Sequence, residues 1–459
     1  MSNQREQDGA PPTLAAETIA IDLGRGIAGQ VLAAEHAGYG GACRVWNAMI
    51  ERRPAAIVRC LSSDDVQRCI RFARRHGLGV TVRGGGHNIG GRAIADGALM
   101  IDFSQQRGVL VDPARERAEV QPGALLSDID HATCEHGLVL PTGIVSETGI
   151  AGLVLGGGFG WLSRRFGLTC DHLSEAEVVT GTGEVVVTNE GQHPELLWAL
   201  RGGGGGFGVV TSFRFQLRRM APMVVAGLLV RESERTHEVA EEFRAYAAVA
   251  PDEMGCMLKL CAAPAAPFLP KSVHGKPVGI VVVCHGGDES DVARALTGLR
   301  AGGPPLADLI QPRRFVDFQA MFDAGEPKGR RDYWKSEYVS ELDDATLGRR
   351  LPSPYANVKI FQLGGEVSRL ASGVSAAGHR DARFIIVVAS AWDDRNQDDV
   401  NLAWVRDTWD RVHQHCRGGG YINFLTADAD ADEWANAQAG VDVERLAALR
   451  QRFDPDGIF

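Results

Sequence analysis

A strand that breaks into three glycines and a histidine constrains this chain most. Val80–Val82 is a β-branched run that predicts a short strand, and Gly84–Gly86 with His87 follow it. Consecutive glycines can turn several backbone N–H groups toward one point and leave no Cβ in the way. The segment Arg83–Asn88 therefore predicts a loop that binds an anionic group such as a diphosphate. The alternative is a glycine-rich turn with a solvated His87.

The segment before this loop predicts a strand, a helix and a second strand. Ile57–Cys60 has the composition of a strand, and Ser63 is placed to cap the helix that follows. Gly77 suits the left-handed residue at the end of that helix. This unit leads the chain directly into the glycine loop.

Length and charge favour a two-domain protein that acts on a small molecule. The chain has 459 residues, 48 of them basic and 58 acidic, with a net charge of -10. This balance argues against a nucleic-acid surface and against an anionic membrane surface. The nine cysteines form no C-x-x-C pair, and Met1–Pro12 is polar, so we expect no disulfides, no signal peptide, no membrane span and a cytoplasmic location.

Two groups of histidine and cysteine residues have the composition of metal ligands but not the arrangement. In a helix, His131 and Cys134 share a face while His136 points elsewhere, and no second cluster completes the set. His413 with its neighbours His415 and Cys416 fails in the same way. We predict no metal site.

A second glycine region runs from Pro141 to Gly160. Its seven glycines alternate with hydroxyl and apolar side chains, a pattern that suits backbone packed against a large flat ligand. The alternative is a tightly packed, irregular core segment. A third match, G-x-G-x-x-G from Gly203 to Gly208, lies after a helix and before a strand, which is the reverse of a dinucleotide fingerprint, so a Rossmann dehydrogenase is disfavoured.

Beyond Arg218 the pattern changes to alternating amphipathic helices and apolar strands, which predicts a second, α+β domain. Three of its predicted strands carry aromatic and polar side chains suited to a pocket, namely Tyr333–Tyr338, Phe361–Leu363 and Phe384–Ser390. The alternative is that these aromatic residues are plain core.

Several of these motifs together resemble one family. They are Arg83–Asn88, Pro141–Gly143, Thr148–Leu153, Leu155–Trp161, Gly206–Thr211 and Arg445–Pro455. In this order and spacing they resemble the berberine bridge enzyme-like FAD-linked oxidases, which have the vanillyl-alcohol oxidase (PCMH-type) fold. The resemblance covers nearly the whole chain from Trp46 onward.

The resemblance implies an α+β fold with a two-lobed, PCMH-type FAD-binding domain and an inserted α/β substrate domain. The inserted domain has an antiparallel sheet covered by helices. The implied limits are residues 1–45 for an N-terminal tail and lead-in, 46–217 and 405–459 for the two parts of the FAD-binding domain, and 218–404 for the substrate domain.

The resemblance also implies the cofactor. In the family, the histidine at the position of His87 is bonded covalently to the 8α-methyl carbon of the flavin, and the arginine-glycine loop holds the diphosphate. The implied FAD-binding residues are Arg83, Gly84, Gly85, Gly86, His87, Asn88, Thr142, Gly143, Ser146, Thr148, Gly149, Gly152, Gly157, Gly160, Val210, Tyr421 and Asn423.

The chain departs from the family pattern at two positions. Many members form a second flavin bond through a cysteine where this chain has Val145, so we predict a single covalent bond and a more open pocket. The final tyrosine of a Tyr-x-Asn-Tyr motif often acts as the catalytic base, and here it is Phe424. A phenylalanine cannot carry a proton, so that base is absent.

The remaining polar residues near the expected pocket supply the catalytic candidates. Tyr421 is the first choice, with Tyr338 and Gln362 next, and Tyr333, Lys335 and Glu337 are further candidates. Thr148 falls where the family places a residue that governs oxygen access.

The predicted function is an FAD-dependent oxidase that acts on an alcohol, sugar, amine or natural product and reduces O₂ to H₂O₂. The alternatives are a dehydrogenase of the same fold with another electron acceptor, or a flavin-binding protein with little turnover. Substrate identity and oligomeric state stay open.

Overall fold

A computed structural model of the chain describes residues 16–232, 236–301, 303–342, 351–416 and 418–459. The first fifteen residues of the predicted tail lie outside these ranges. The strands are β1 (Gln30–Leu32), β2 (Ala56–Arg59), β3 (Val80–Arg83), β4 (Leu99–Asp102), β5 (Val109–Asp112), β6 (Arg117–Val120), β7 (Leu138–Val139), β8 (Leu173–Val179), β9 (Val185–Asn189), β10 (Val209–Gln216), β11 (Arg218–Arg219), β12 (Met223–Glu232), β13 (Met254–Ala262), β14 (Pro277–His285), β15 (Ala307–Asp308), β16 (Gln311–Arg314), β17 (Arg331–Val339), β18 (Asn357–Gln362) and β19 (Phe384–Trp392).

The α-helices are α1 (Ala16–Gly24), α2 (Tyr39–Ala42), α3 (Ser63–His76), α4 (Leu126–Cys134), α5 (Ile150–Leu155), α6 (Ser163–Phe166), α7 (Pro194–Leu200), α8 (Thr236–Val249), α9 (Glu289–Arg300), α10 (Phe315–Gln319), α11 (Glu366–Arg369), α12 (Asp398–Cys416), α13 (Ala431–Ala437) and α14 (Val443–Phe453). Short 3₁₀ helices include Ala320–Gly325 and Ile422–Phe424.

The first sheet carries the glycine loop at the end of β3. Its order is β1-β2-β4-β3, and β2 and β3 both run parallel to β4 between them. Helix α3 connects β2 to β3 as predicted, and Gly77 ends it with φ of 64°. The capping residue is Ser62, whose Oγ accepts a hydrogen bond from the Asp65 N–H, and not Ser63, whose hydroxyl donates instead to Glu177.

The second sheet is a five-stranded antiparallel layer with the order β5-β6-β10-β8-β9. Strands β8 and β9 form a hairpin, and Gly183 in its turn has φ of 83°. The glycine run after α7 leads into β10, the central strand. The first sheet therefore leads into the Gly84–Gly86 loop, and the second sheet receives the chain after the two later glycine-rich segments, at β8 and β10.

The third sheet has eight strands, with the order β15-β12-β14-β13-β18-β19-β17 and β16 beside β12, and every pairing in it is antiparallel. Alternate residues of each strand belong to different cores. Ile360 and Val388 pack with helices α8, α9 and α12, whereas Phe361 and Val387 belong to the core shared with the glycine-rich segments. The expected antiparallel sheet covered by helices is confirmed.

The domain limits stay a prediction. The limit at residues 404 and 405 falls inside α12, which packs along β17 and β19 of the large sheet. Among the described residues, no group of three or more His, Cys, Asp or Glu side chains is arranged to hold a metal ion. No helix in the described ranges combines the length and the apolar character of a membrane span.

Candidate active site

A cavity of about 670 Å³, called the main cavity below, lies where the glycine-rich segments face the third sheet. One wall is built from Gly84–Asn88, from Gly143–Val145, and from parts of the segments 148–156 and 204–210. The opposite wall is built from side chains of β17, β18 and β19. A cavity of this size suits a small molecule or an organic cofactor.

Two glycine segments cross in direct backbone contact at this cavity. A Cβ on Gly85 would lie 2.6 Å from the Gly149 backbone nitrogen, and one on Gly149 would lie 2.3 Å from the Gly85 nitrogen. Real Cβ atoms do not approach other atoms this closely. Gly86 has φ of 68°, a left-handed conformation that favours glycine. The glycines are thus required by the crossing, and the crossing delivers His87 to the cavity.

His87 carries a buried nitrogen that the protein leaves without a partner. Its ring stacks on Trp46, with 4.7 Å between centroids and 24° between planes. Within the described structure, the buried Nε2 atom makes no hydrogen bond. Burial lowers the pKa of His87 from 6.5 to about 4, although the Glu326 carboxylate opposes this shift. The imidazole is therefore neutral at physiological pH.

Tyr421 enters the cavity from the segment after α12. Its backbone N–H donates to Ser336 Oγ on β17 at 3.0 Å. Its hydroxyl oxygen accepts hydrogen bonds from the Gly158 N–H and from Asn423 Nδ2, both at 2.9 Å. Burial raises the pKa of the Tyr421 hydroxyl, against the effect of these two donors, which lower it. The hydroxyl is thus fixed in place and keeps its proton.

An ion pair lies in the wall opposite the glycines. Glu326 Oε1 lies 2.5 Å from Lys359 Nζ and 3.8 Å from Lys259 Nζ. Burial alone would raise the pKa of Glu326, but the two ammonium groups outweigh it and hold the pKa below its ordinary value. This corner of the cavity therefore presents a carboxylate and a lysine ammonium together.

Aromatic side chains from both sides of the cavity contact one another in its lining. Trp334 contacts Trp46 edge-on at 5.4 Å and Phe424 at 5.1 Å between centroids. Phe159 contacts Phe361 at 5.3 Å and Phe424 at 6.0 Å. These five residues, all of which line the cavity, are called the aromatic wall below. They give the cavity a flat, apolar side next to the ion pair.

Comparison with known proteins identifies the family. A family model described as an FAD-binding domain matches residues 54–189 of this chain. Over 463 aligned residues the chain is 32% identical to (R)-6-hydroxynicotine oxidase of Paenarthrobacter nicotinovorans, covering 94% of this chain and 95% of that protein. The chain belongs to the FAD-linked oxidoreductases. It is therefore an enzyme, and the resemblance read from its motifs is confirmed.

Other FAD-linked oxidoreductases and solved structures agree with this assignment. Aclacinomycin-N/aclacinomycin-A oxidase of Streptomyces galilaeus is 27% identical, with 91% of this chain and 86% of that protein covered. A BBE-like protein of Physcomitrella patens has a TM-score of 0.86 at 22% identity, covering 96% of this chain and 97% of its own. The structure of 6-hydroxy-D-nicotine oxidase from Arthrobacter nicotinovorans has a TM-score of 0.81 at 24% identity, covering 94% of this chain and 96% of that chain. These structures share the fold.

Two observations indicate that the cavity fits the FAD of this family of oxidoreductases. Three buried polar atoms of its lining have no partner within the described structure, namely His87 Nε2, Trp46 Nε1 and Thr81 Oγ1. Gly152 and Gly205 also line the cavity, and a Cβ on either would meet no protein atom within 4 Å. The first observation offers polar groups to a bound cofactor, and the second leaves it room.

Most of the residues predicted to bind FAD line this one cavity. They are Gly84, Gly85, Gly86, His87, Asn88, Gly143, Thr148, Gly149, Gly152, Val210, Tyr421 and Asn423. Among them, Asn88 Nδ2 donates to the Asn423 carbonyl at 3.3 Å, which links the first glycine loop to the C-terminal segment. Their individual roles toward FAD stay predictions.

Five of the predicted residues point elsewhere. Arg83 donates to the carbonyls of Ala42 at 2.5 Å and Arg44 at 3.1 Å, and its Nε lies 4.0 Å from Asp102. The guanidinium thus ties the glycine loop to the segment before it. Arg83 is not part of the lining of the main cavity, and its role at the diphosphate stays a prediction.

The other four are used inside the protein. Thr142 Oγ1 accepts a hydrogen bond from Gln319 Nε2 at 3.2 Å, and the Ser146 N–H and hydroxyl donate to Asp323 at 3.0 and 2.6 Å. A Cβ on Gly160 would lie 2.0 Å from the Thr142 carbonyl oxygen. Gly157 lines a separate small cavity behind the Tyr421 ring.

Two of the three catalytic candidates lie outside the main cavity. Gln362 Nε2 donates to the Ala247 carbonyl at 2.6 Å, and its Oε1 accepts from Cys256 Sγ at 2.7 Å, so it lies on the helix-covered face of the sheet. Tyr338 lines the small cavity behind Tyr421, with its ring stacked on His379 at 4.3 Å. Of the three candidates, Tyr421 lines the main cavity, and the catalytic roles of all three stay predictions.

Side chains alternate between the two faces of a strand, and three further candidates on β17 therefore lie outside the main cavity. Tyr333 donates its hydroxyl to Asp428, Lys335 pairs with Glu433, and Glu337 accepts hydrogen bonds from His413 and from the Gly419 N–H. These residues are odd-numbered and face α12 and the loop after it. The even-numbered Trp334 faces the cavity instead.

The sequence does not point to Glu326 or Lys359, whereas the predicted pocket strands include Trp334 and Phe361 of the aromatic wall. Lys359 lies two residues before Phe361, so strand alternation places both on one face, and this signal could have found it. Glu326 follows the short 3₁₀ helix Ala320–Gly325, and no sequence pattern indicates its approach to Lys359.

Proposed function

We propose that this FAD-linked oxidoreductase is an oxidase that holds its flavin through one covalent bond to His87. It removes a hydride from an alcohol, sugar, amine or natural-product substrate and passes the electrons to O₂, which becomes H₂O₂. The observation that carries the proposal is the buried, unpartnered Nε2 of a neutral His87 in the cavity wall.

A neutral imidazole nitrogen has a lone pair with which to form a bond, whereas a protonated one does not. Burial keeps His87 neutral, and its stacking on Trp46 at 4.7 Å holds the ring in place. Val145, at the position where many relatives have a second bond-forming cysteine, lines the cavity with an apolar side chain. These features support a single bond.

Bound FAD supplies the two-electron acceptor, and the protein supplies the binding and orientation of the substrate. Tyr421 accepts two hydrogen bonds, so its own O–H is available to donate to a substrate oxygen. Phe424 contacts the Tyr421 ring at 4.9 Å and excludes water from it without taking part in proton transfer. Thr148 lines the cavity, which supports its expected role in oxygen access.

We propose that residues 46–217 and 405–459 hold the FAD while 218–404 supply the substrate side of the site. The division of the cavity supports this arrangement. Its glycine-built wall comes from the first range, and Lys359, Phe361 and Trp334 come from the last.

Acid denaturation of the purified protein tests the proposal. Covalently bound flavin precipitates with the protein and keeps its visible absorption, whereas non-covalent FAD stays in the supernatant. We expect a yellow precipitate from the wild type and a colourless one from His87→Ala. Yellow supernatant from the wild type would overturn the covalent bond, and absence of any flavin would overturn the assigned cofactor. Oxygen consumption coupled to H₂O₂ production on a panel of alcohols, sugars and amines then tests the oxidase activity.

A further inference from the structure

The corner formed by Glu326, Lys359 and Lys259 has an arrangement that the fold alone does not require. Lys259 and Lys359 lie opposite each other on the neighbouring strands β13 and β18, and Glu326 reaches them from the chain before β17. Both contacts use the same carboxylate oxygen, Oε1. Within the described residues, Glu326 Oε2 accepts no hydrogen bond, and Glu326 and Lys359 both line the main cavity.

The charges around this corner define what it can accept. Burial, and then the Glu326 carboxylate, raise the pKa of neighbouring Asp332 well above its ordinary value. His87 is neutral. The charged groups in contact at the corner are the ammonium groups of Lys259 and Lys359 and the carboxylate of Glu326. A lysine ammonium has three N–H donors and Glu326 engages one of those of Lys359, so the cavity is offered donors next to an acceptor.

A hydroxyl group matches this pair of functions, because it accepts one hydrogen bond and donates another. A substrate ammonium would meet two lysine ammonium groups, and a substrate carboxylate would meet Glu326 with no hydrogen to donate to it. Like charges brought together in a partly buried site disfavour binding. The corner therefore favours a neutral hydroxyl over either charged group.

The aromatic wall restricts the rest of the substrate. Trp46, Trp334, Phe361, Phe424 and Phe159 present ring faces and edges next to the corner. A sugar would bring several hydroxyl groups against these rings, and each hydroxyl without a partner would lose its hydrogen bonds to water. A flat apolar skeleton would bury its surface there at no such cost.

We propose that Glu326 and Lys359 bind the hydroxyl group of a neutral, largely apolar alcohol, with the aromatic wall holding its skeleton. Lys359 Nζ donates to the hydroxyl oxygen, and the hydroxyl donates to Glu326 Oε2. Lys259 is a positioning residue that holds the carboxylate ionised. This inference rests on the proposed function, because it narrows the substrate class of the same site.

Binding of four probes with one skeleton tests the inference. 2-Naphthylmethanol carries the hydroxyl, 2-naphthylmethylamine an ammonium, 2-naphthoate a carboxylate and 2-ethylnaphthalene no polar group. Equilibrium dialysis of the flavin-loaded enzyme without oxygen gives the Kd of each. We expect the alcohol to bind about tenfold more tightly than each of the other three. A carboxylate or ammonium probe that binds as tightly as the alcohol would overturn the proposal.

The variants Glu326→Gln and Lys359→Met assign the preference to this corner. Each should weaken binding of the alcohol about tenfold and leave 2-ethylnaphthalene within twofold of the wild type. Glu433→Gln is the matched control, because Glu433 pairs with Lys335 on the helix-covered face of the same sheet. The exposed fractions of the two pairs are similar, 10% and 16% for Lys359 and Glu326 against 9% and 18% for Lys335 and Glu433.

The control separates binding from stability. Glu433→Gln should bind the alcohol as the wild type does. An equal loss of alcohol binding in Glu326→Gln and Glu433→Gln would overturn the inference, as would no loss in Glu326→Gln. These outcomes are read on protein whose flavin content has been measured, so a protein without flavin refutes the proposed function and not the hydroxyl preference.

Discussion

The two walls of the cavity are made in different ways. The wall of Gly84–Gly86 and Gly149–Gly152 is mostly backbone, and its shape depends on segments that approach more closely than any Cβ would allow. The wall of Trp334, Lys359 and Phe361 is mostly side chain on a regular antiparallel sheet. The glycine wall therefore offers a ligand space and backbone groups, because its residues have no side chains. The sheet wall offers side chains.

This difference determines how each wall responds to change. Where Gly85 and Gly149 cross, a single added methyl group displaces backbone, so substitutions there act on folding and on cofactor binding together. In the sheet wall the strands persist when a side chain changes, because the hydrogen bonds of the ladder are backbone bonds. Substitutions there should alter what binds and leave the fold in place.

The largest effect is expected from Gly149→Ala. Gly149 has φ of -80°, which alanine adopts freely, so the cost comes only from the new Cβ, 2.3 Å from the Gly85 nitrogen. Separating two backbones in a packed core costs about 3 kcal/mol. We expect the free energy of unfolding in denaturant to fall by this amount, with loss of bound flavin.

Gly152→Ala is the control in the same segment. A Cβ on Gly152 meets no protein atom within 4 Å, and it lies in helix α5, where alanine is the better helix former. We expect unchanged or higher stability but reduced flavin content, because the methyl group enters the cavity. Wild-type stability in Gly149→Ala, or full flavin content in Gly152→Ala, would contradict this account of the glycine wall.

The glycine wall could largely be predicted from sequence, and the sheet wall could not. Clustered glycines indicate close backbone approach, so the sequence alone predicts that Gly84–Gly86 and Gly149 lie at a cavity. The strand pattern of Tyr333–Tyr338 is also evident in the sequence. Which of its faces meets the cavity depends on its register with β19, and that register is set by contacts far away in sequence.

Charged residues show the same limit. Arg83 was expected at the diphosphate because it precedes the glycines, yet its guanidinium binds the Ala42 and Arg44 carbonyls. Glu326 is 33 residues from Lys359, and only the folded chain brings the two together. A residue next to a ligand loop in sequence can point away from the ligand, because side-chain direction is decided by the nearest unsatisfied partners.

The next largest effect is expected from Tyr421→Phe, and Gln362→Met is the variant with which it is compared. Removing the Tyr421 hydroxyl leaves the buried Gly158 N–H and Asn423 amide without their acceptor, which costs about 2 kcal/mol of stability. Removing the Gln362 amide costs about 1 kcal/mol, because it frees the Ala247 carbonyl. We expect thermal melts to show both losses.

The visible absorption spectrum of the bound flavin separates these two variants. It should shift in Tyr421→Phe, which lines the cavity, and match the wild type in Gln362→Met, which lies on the helix-covered face. A flavin spectrum altered by Gln362→Met and unaffected by Tyr421→Phe would reverse the assignment of the two faces.

The smallest effect is expected at the edge of the glycine wall, where Arg92 lies over the Trp434 ring at 3.9 Å. Arg92 is exposed by its surface area, yet neighbouring groups partly desolvate its guanidinium and lower its pKa to about 10, so it is still charged at neutral pH. Arg445 lies over Trp198 at the same 3.9 Å distance, away from the cavity. Loss of a cation–π contact of this kind costs about 0.5–1 kcal/mol, so Arg92→Met and Arg445→Met should destabilise the protein equally in denaturant.

Arg92 lines the cavity and Arg445 does not, so only Arg92→Met should also perturb the flavin spectrum or its retention. Equal flavin behaviour in the two variants would contradict a contact between Arg92 and the bound flavin.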